Sequence, residues 1–527
     1  MGWFGGDKGG LVWPLALAVA LLTVGPPARA AQPSSARPLA LVEAVRLTLA
    51  NNANISLAQQ DVAASQGSLD ITRGAFDLTL SSNISQGHVF TPLAQLYRQA
   101  YGRTFQTTNT TSFQLGAQKL LRSGLTLQPN VTVSRMHDTL DYPELPASQA
   151  SVNFAVIVPL LQGLGERAVG AQERAAQYQL EGVRQDYLQA AAANVYTAVA
   201  DYWSLLEYQT IVTVYADSEQ RAAKLLEEST ALVEADQLPR SEITNLRANL
   251  DLKSAQRLSA ASDLSSAQEA LANSLGLGDQ GFDGPVAVDD FPYQADVESI
   301  AGGLATEKFK QMALANRADL KSAKLKEKSA NETLVAALDG LKPKLNLTLS
   351  AGYSGLSEDE AYSSYYRSLG DGVYGLNAVG SLNLEFPPAN TAARGQVAAS
   401  RAALQQSKIV LTDTQRQVLL GVASAVRELR ASAQQVRLAR EAVASYQRAV
   451  QDERLKLKLG TSTILAVIQV EDQLTSALLN EADARQRLAT AVARIRYETG
   501  TLITGDPTAA RFSVGSITTP PQADGSR

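Results

Sequence analysis

Two long tracts that can only be helix dominate this chain. Between Val183 and Leu275 there is no glycine and Pro239 is the sole proline; between Gln396 and Thr499 there is no proline, and glycine occurs only at Gly421 and Gly460. Both tracts are rich in Ala, Leu, Gln, Glu and Arg, the residues that lose least on entering a helix. Apolar side chains recur at three- and four-residue steps, through Ile243, Leu246 and Leu250 in the first tract and Ile464, Val467, Leu474 and Leu478 in the second. Leu488, Val492 and Ile495 continue the second stripe. From Gly165 to about Ser229 a helix would be about 100 Å long at about 1.5 Å per residue, too long for an ordinary globular domain. Breaks at Gln237-Leu238-Pro239 and at Gly460-Thr461-Ser462 fold each tract into a helical hairpin.

The hairpins belong to two copies of one plan. Glu166–Ala176 aligns with Ala393–Ala403, an offset of 393 − 166 = 227, and Leu275-Gly276 pairs with Thr499-Gly500, 500 − 276 = 224. Upstream, Ala50–Ile55 resembles Ala315–Leu320, 315 − 50 = 265, and Leu78–Ser81 matches Leu347–Ser350, 347 − 78 = 269. An offset that falls by about 40 places an insertion of that size in the first copy, between about Ser81 and Glu166. The expected divisions are an export signal at 1–30, a first repeat at 31–285 with a hairpin-like insertion at about 90–150, a linker at 286–304, a second repeat at 305–505, and a disordered tail at 506–527. The tail reading rests on Pro507, Pro520, Pro521 and Gly525.

Composition removes whole classes of chemistry. The chain has 527 residues, no cysteine and two histidines, so thiolate metal sites, cysteine nucleophiles and disulfides are impossible. His88 and His137, placed in loops or at strand ends, have no flanking G-x-S-x-G, H-E-x-x-H or phosphate loop, and no enzyme activity is expected. With 47 basic and 52 acidic residues, the net charge of −5 disfavours nucleic acid. Leu11–Val24, preceded by Lys8 and followed by Ala28-Arg29-Ala30, has the shape of a cleavable secretory signal, an uncleaved anchor being the alternative. No cysteine follows the cleavage point, so no N-terminal lipid anchor is expected.

The β regions argue against a soluble coiled-coil stalk. Phe76, Leu78, Leu80 and Ile84 alternate with Asp77, Thr79, Ser81, Asn83 and Ser85. In the second copy Leu345, Leu347, Leu349, Ala351 and Tyr353 alternate with polar residues. The return strand carries Tyr374, Leu376, Ala378, Leu382, Leu384 and Phe386 against Asn377, Ser381, Asn383 and Glu385. A period of two over about ten residues suits strands with lipid on one side and water on the other. Tyr362, Tyr365 and Tyr366 sit in the loop between them, where interfacial aromatics collect. The insertion also alternates, at Phe113, Leu115 and Ala117, at Leu125, Leu127, Val131 and Val133, and at Val152, Phe154, Val156 and Val158. These strands either enlarge the barrel or form a surface hairpin.

The joins Val158-Pro159-Leu160-Leu161-Gln162-Gly163 and Phe386-Pro387-Pro388 resemble those of the TolC family of outer-membrane efflux and secretion channels. The run Leu459-Gly460-Thr461-Ser462-Thr463-Ile464, continuing to Ala477, Asn480, Ala482 and Thr499-Gly500-Thr501-Leu502, carries the same likeness, as does Pro239–Ile243 to Leu275-Gly276-Leu277. The resemblance spans about Leu39 to Leu502. It implies an α+β membrane protein whose duplicated strand-hairpin and long-helix repeats form, as a homotrimer, an outer-membrane β-barrel continuous with a periplasmic α-helical barrel. Each chain would give two β-hairpins to twelve strands. A periplasmic adaptor and an inner-membrane pump would be the partners, with no cofactor and no metal.

The resemblance also assigns sites. The positions that carry aperture aspartates in the best-known members are Ala466 and Gln469 here, so that charge ring is missing, while the carboxylate after the first tip is kept as Glu242. Glu242 is either an aperture charge or a solvated helix charge. Pro239, Arg240, Ser241, Leu459, Gly460, Thr461 and Ser462 are the expected adaptor-docking tips. The competing class is a periplasmic coiled-coil adaptor or envelope tether, which would share the helical hairpins but not duplicated strands feeding them.

Overall fold

The computed structural model describes residues 38–142, 145–234, 239–278, 284–292, 306–361, 363–370, 373–506, 511–515 and 517–521. The expected export signal, Gln237, Leu238, Tyr362 and most of the 286–304 linker lie outside these residues. Elements in chain order are β1 (Pro38–Leu39), α1 (Leu41–Asn51), α2 (Ala53–Gly74), β2 (Leu78–Pro92), α3 (Gln95–Tyr101), β3 (Phe105–Leu120), β4 (Thr126–Asp138), β5 (Ala147–Pro159), α4 (Glu166–Val169), α5 (Ala171–Glu234), α6 (Ser241–Ser274) and β6 (Val286–Ala287). The second repeat holds α7 (Thr306–Asn316), α8 (Ala318–Asp339), β7 (Lys344–Glu358), α9 (Ser364–Arg367), β8 (Val373–Glu385), α10 (Thr391–Lys458) and α11 (Ile464–Glu498), followed by β9 (Ile503–Asp506) and β10 (Arg511–Val514).

The duplication survives in element lengths. α1 and α7 both have 11 residues and α2 and α8 both have 22, and 306 − 41 and 318 − 53 each give the expected 265. β2 and β7 are 15 residues each, β5 and β8 are 13 each. The long helices run 64 and 68 residues, about 100 Å each. The connection from Pro92 to Ala147 is 146 − 92 = 54 residues and that from Glu358 to Val373 is 372 − 358 = 14, which recovers the 40-residue surplus and assigns it to α3, β3 and β4.

Those inserted strands join the main sheet. It has six antiparallel strands in the order β2-β3-β4-β5-β7-β8, where the resemblance implied four per chain. The twelve-strand expectation therefore fails in its count per chain. β3 pairs with β2 along all fifteen residues of β2 and with β4 along most of its length, so the insertion is no surface hairpin. His88 lies inside β2, paired with Asn109, and His137 inside β4, rather than in loops.

The helices form one layer under the sheet. Near the sheet the neighbours run α2-α5-α8-α10, and farther away α6-α5-α11-α10, so α6 continues the path of α2 and α11 that of α8. The sequence stripes pack as expected: Leu246, Ile464, Val467, Leu474, Leu488, Val492 and Ile495 are buried. Where the two sets of helices meet, Trp203, Tyr202, Leu205, Leu271, Leu275 and Leu502 are fully buried in a core that also takes Leu39, Leu41, Val45 and Ile55. The two-residue strands β1 and β6 pair in parallel beside it. Tyr202 Oη donates to the Asp289 carboxylate at 2.6 Å, and the same oxygen of Asp289 accepts from the Leu41 amide at 2.6 Å, which ties the first helix to the middle of α5.

The tail departs from the expected disorder over its described residues. β10 pairs with β9, Ile517 joins the central core, and the Arg496 guanidinium donates to the Thr519 carbonyl. Prolines 520 and 521 cap a docked segment; proline richness alone could not tell that from a disordered one.

Candidate functional site

The sheet is the first part of the site. Because residues paired across antiparallel strands share a face, register fixes both surfaces. One face carries Leu78, Leu80 and Ile84 of β2, Phe113, Leu115 and Ala117 of β3, Leu127, Val131 and Val133 of β4, Val152, Phe154 and Val156 of β5, Leu347, Leu349 and Tyr353 of β7, and Leu376, Leu382 and Leu384 of β8. The other carries Asn83 and Ser85, Gln114 and Ser112, Gln128, Asn130 and Thr132, Ser151 and Asn153, Thr348 and Ser350, and Asn377, Ser381 and Asn383. The apolar face is exposed over most of its strands, with Leu376 84% and Leu80 70% accessible, half-buried along β4, and closed over at Ala150. An exposed apolar surface on that scale, backed by a polar one, suits lipid outside and water inside.

The junction between sheet and helices is the second part. Here the chain turns at Arg122-Ser123-Gly124, the connection between the inserted strands. Arg122 makes a two-point contact with the Glu173 carboxylate of α5, at 2.8 and 2.9 Å. Its guanidinium lies 4.8 Å from the Phe76 ring centroid. The hydrogen bond from Arg122 holds the Glu173 carboxyl below the usual carboxylate range, with Arg73 adding to the effect. The Ser123 carbonyl accepts from Gly165 N at 3.0 Å. Gly124, at φ +96°, is so close to the Gly163 carbonyl that a Cβ would come within 2.1 Å of its oxygen. Nearby, Gly163 N donates to Asp339 Oδ2 at 2.7 Å, joining the first repeat's strand-to-helix connection to the end of α8 in the second repeat.

The far end of the helices is the third part. Glu242 stands in the first turn of α6, half-buried, and Pro239, Arg240 and Ser241 precede or begin that helix, all exposed. Leu459, Gly460 and Thr461 are exposed at the tip between α10 and α11, and Gly460 reverses the chain at φ +73° with open space around it. Ser462 is half-buried and hydrogen-bonds Glu453. Thr463 caps α11 by accepting from Ala466 N at 3.2 Å. Ala466 is half-buried and Gln469 exposed, both on the first turns of α11. Leu225 and Leu246 of the first hairpin pack on Ile464 and Val467 of the second, so the structure brings the two tips together.

Charge pairs that the sequence reading missed lie above the tips. Lys253 Nζ of α6, almost buried, donates to Asp472 Oδ1 of α11 at 2.5 Å and links the two hairpins. Arg454 of α10 contacts the buried Glu471 of α11 at 2.9 Å. Nothing local marks these residues, since each pair spans separate helices. Three exposed leucines, Leu455, Leu459 and Leu465, ring the Gly460 turn. The first and last were legible as apolar residues off the helix stripe.

Midway, Arg317 is buried against Asp319 at 2.6 Å and Glu498 at 3.1 Å, with its guanidinium over the Tyr497 ring. Burial raises the Glu498 carboxyl, with Arg317 opposing the shift. Among the described residues no helix is long and apolar enough to cross a membrane, and no group of His, Asp and Glu could hold a metal.

Residues 310–501 match the outer membrane efflux protein family. The outer membrane protein TolC of Salmonella enteritidis is 25% identical over 369 residues, covering 68% of this chain and 70% of that protein. TolC of Escherichia coli K12 is 25% identical over 346 residues, covering 64% and 66%. In three dimensions the chain is similar to the Campylobacter jejuni CmeC outer membrane channel, with a TM-score of 0.63 and 14% identity over 89% of this chain and 88% of that one. That likeness shows a shared fold, with long helices beneath an antiparallel sheet. Over residues 310–501 the chain matches the outer membrane efflux protein family, over about two thirds of its length it is similar in sequence to TolC, and over nearly all of its length it shares the fold of solved outer membrane channels.

Proposed function

We propose that three copies of this chain form a passive duct that carries substrates, delivered by an inner-membrane pump through a periplasmic adaptor, across the outer membrane. The observation that carries the reading is the amphipathic sheet continuing directly into helices about 100 Å long. One copy leaves both sheet edges, β2 and β8, unpaired, a state not tolerated in lipid. The helix layer has the same two edges, and both carry exposed apolar residues: Leu57, Ile71, Leu252 and Leu258 on α2 and α6, and Ile409, Val410 and Leu420 on α10. Matching edges in both layers favour a ring of copies over a monomeric tether. Efflux of small molecules and export of polypeptide would use the same duct.

At the periplasmic end, Pro239, Arg240, Ser241, Leu459, Gly460, Thr461 and Ser462 form the adaptor-docking surface, joined by Leu455 and Leu465. The aperture closes by packing between the hairpins and by the Lys253–Asp472 pair, with Glu242 its candidate acidic residue and Ala466 and Gln469 neutral on the second hairpin. Fractionation and planar-bilayer recording test the reading together. The expected result is an SDS-resistant, heat-modifiable trimer in the outer membrane that conducts, with divalent-cation block weakened in Glu242→Ala. Recovery in the soluble or inner-membrane fraction, without such an oligomer, would refute the duct; unchanged block in Glu242→Ala would remove Glu242 from the aperture.

A further inference from the structure

The inserted strands change the size of the pore. We propose that β3 and β4 are membrane strands, that β2 of one copy pairs with β8 of a second copy, and that the closed barrel has eighteen strands around a wide, uncharged lumen. The count rests on the trimer argued above.

Four observations carry it. First, β3 and β4 have 16 and 13 residues, beyond the ~9–11 that a tilted span needs. Second, the apolar face and the polar face both continue across them, from Leu115 through Val131 to Val152 on one side, with Lys119 at the basal end, and from Asn83 through Gln114, Thr132 and Ser151 on the other. A hairpin folded out into solvent would have no need to keep Leu115, Val131 and Phe113 in register with the lipid-facing residues of β2 and β5. Third, the connection between the inserted strands is latched to the barrel base by the Arg122–Glu173 contact and the Ser123–Gly165 hydrogen bond. Fourth, six is an even number, so β2 and β8 run in opposite directions and can pair antiparallel between copies.

Widths agree with the count. Four helices side by side at about 9 Å spacing span about 36 Å. Six strands about 4.8 Å apart, tilted by about 40°, span about 38 Å, and four strands only about 25 Å. With the same two edges bounding both layers, six strands fit the helix layer without taper. Closing three such sheets gives a barrel about 36 Å across between Cα atoms, against about 24 Å for twelve strands, so the enclosed area grows about 2.3-fold. Between the rims the lumenal residues of all six strands are Gln, Asn, Ser, Thr, Gly and small or apolar groups, with Lys344 and Glu385 paired at the base at 3.4 Å. A wall of that kind has hydrogen-bonding capacity and no charge filter. The barrel therefore admits bulky solutes of either sign.

The absence of native cysteine allows a clean test on the full-length protein in outer-membrane vesicles. Leu115→Cys and Val131→Cys should resist a membrane-impermeant maleimide, whereas Gln114→Cys and Thr132→Cys should label and, together, form a disulfide within one chain. Combining Asn83→Cys or Ser85→Cys with Asn377→Cys, Ser381→Cys or Asn383→Cys should give covalent dimers and trimers. Particle images of the native assembly should show eighteen strands. Twelve strands, labelling of Leu115→Cys and Val131→Cys, or a disulfide between Ser85→Cys and Ser151→Cys within a trimer, would overturn the inference and leave the duct intact. A monomer in every assay would instead sink the trimer beneath it.

Discussion

Three glycines share one backbone conformation and differ only in what surrounds them, which makes them a test of the packing argument. Gly276, Gly500 and Gly460 have φ of +70°, +67° and +73°, each ending or following a long helix. Replacing glycine by alanine at such a φ costs about 1–2 kcal/mol, and the stiffer unfolded chain returns about 0.4–1 kcal/mol. At Gly460 nothing lies within 4 Å of the new Cβ, so Gly460→Ala should cost about 1 kcal/mol or less. At Gly276 the Cβ would meet the Asn51 carbonyl oxygen at 2.4 Å, and at Gly500 it would meet Arg317 N and Asn316 C at 2.9 Å. These are backbone atoms at the hinges between α1 and α2 and between α7 and α8, and they cannot rotate away. Overpacking adds about 1–3 kcal/mol, so Gly276→Ala should lose about 2–4 kcal/mol, with Gly500→Ala between the two. Trp203 is the sole tryptophan outside the first thirty residues and lies fully buried in that central core. Its fluorescence during urea unfolding in detergent reads the region directly. Equal midpoints for Gly276→Ala and Gly460→Ala would refute the claim that close approach, rather than chain reversal, requires glycine at 276.

Two further outcomes follow from the junction and the tips. Glu173 titrates below its ordinary 4.5 in the folded chain, so its contribution is fully present above pH 4.5 and is lost as pH falls through the depressed value. The thermal midpoint should therefore drop on acidification below pH 4.5 by more in wild type than in Glu173→Gln, and equal drops would show that the Arg122 contact contributes nothing. If the tips dock an adaptor as proposed, changing Leu455, Leu459 and Leu465 to serine should leave bilayer conductance intact while abolishing pump-driven transport; retained transport would remove the leucine ring from the proposed docking surface.

Much of the architecture was legible because it is periodic. Helix stripes such as Val467, Leu474 and Leu488 repeat at three and four residues, strand faces such as Leu345 to Tyr353 repeat at two, and a duplicated plan shows each signal twice. The tip residues around Gly460 were legible because the run Gly460-Thr461-Ser462 interrupts a proline-free helical tract, whereas Gly421, an isolated glycine in the same tract, stays inside α10. Pairings between distant helices left no such trace: Lys253 and Asp472 are 219 residues apart, and neither neighbourhood differs from any solvated helix face.

The sequence by itself determined that the chain is a duplicated, two-faced protein with helices of membrane-assembly scale and an extra 40 residues in its first half. Period and offset are local properties, and any chain with them must bury one face and repeat itself. Only the tertiary structure decided where the extra residues go. Alternation in β3 and β4 suits either a solvent hairpin or a membrane wall, because both leave one face polar. The choice is made by the pairing of β3 with β2 and of β4 with β5 and by the Arg122 turn seated on Glu173, contacts that exist only once the first repeat has folded.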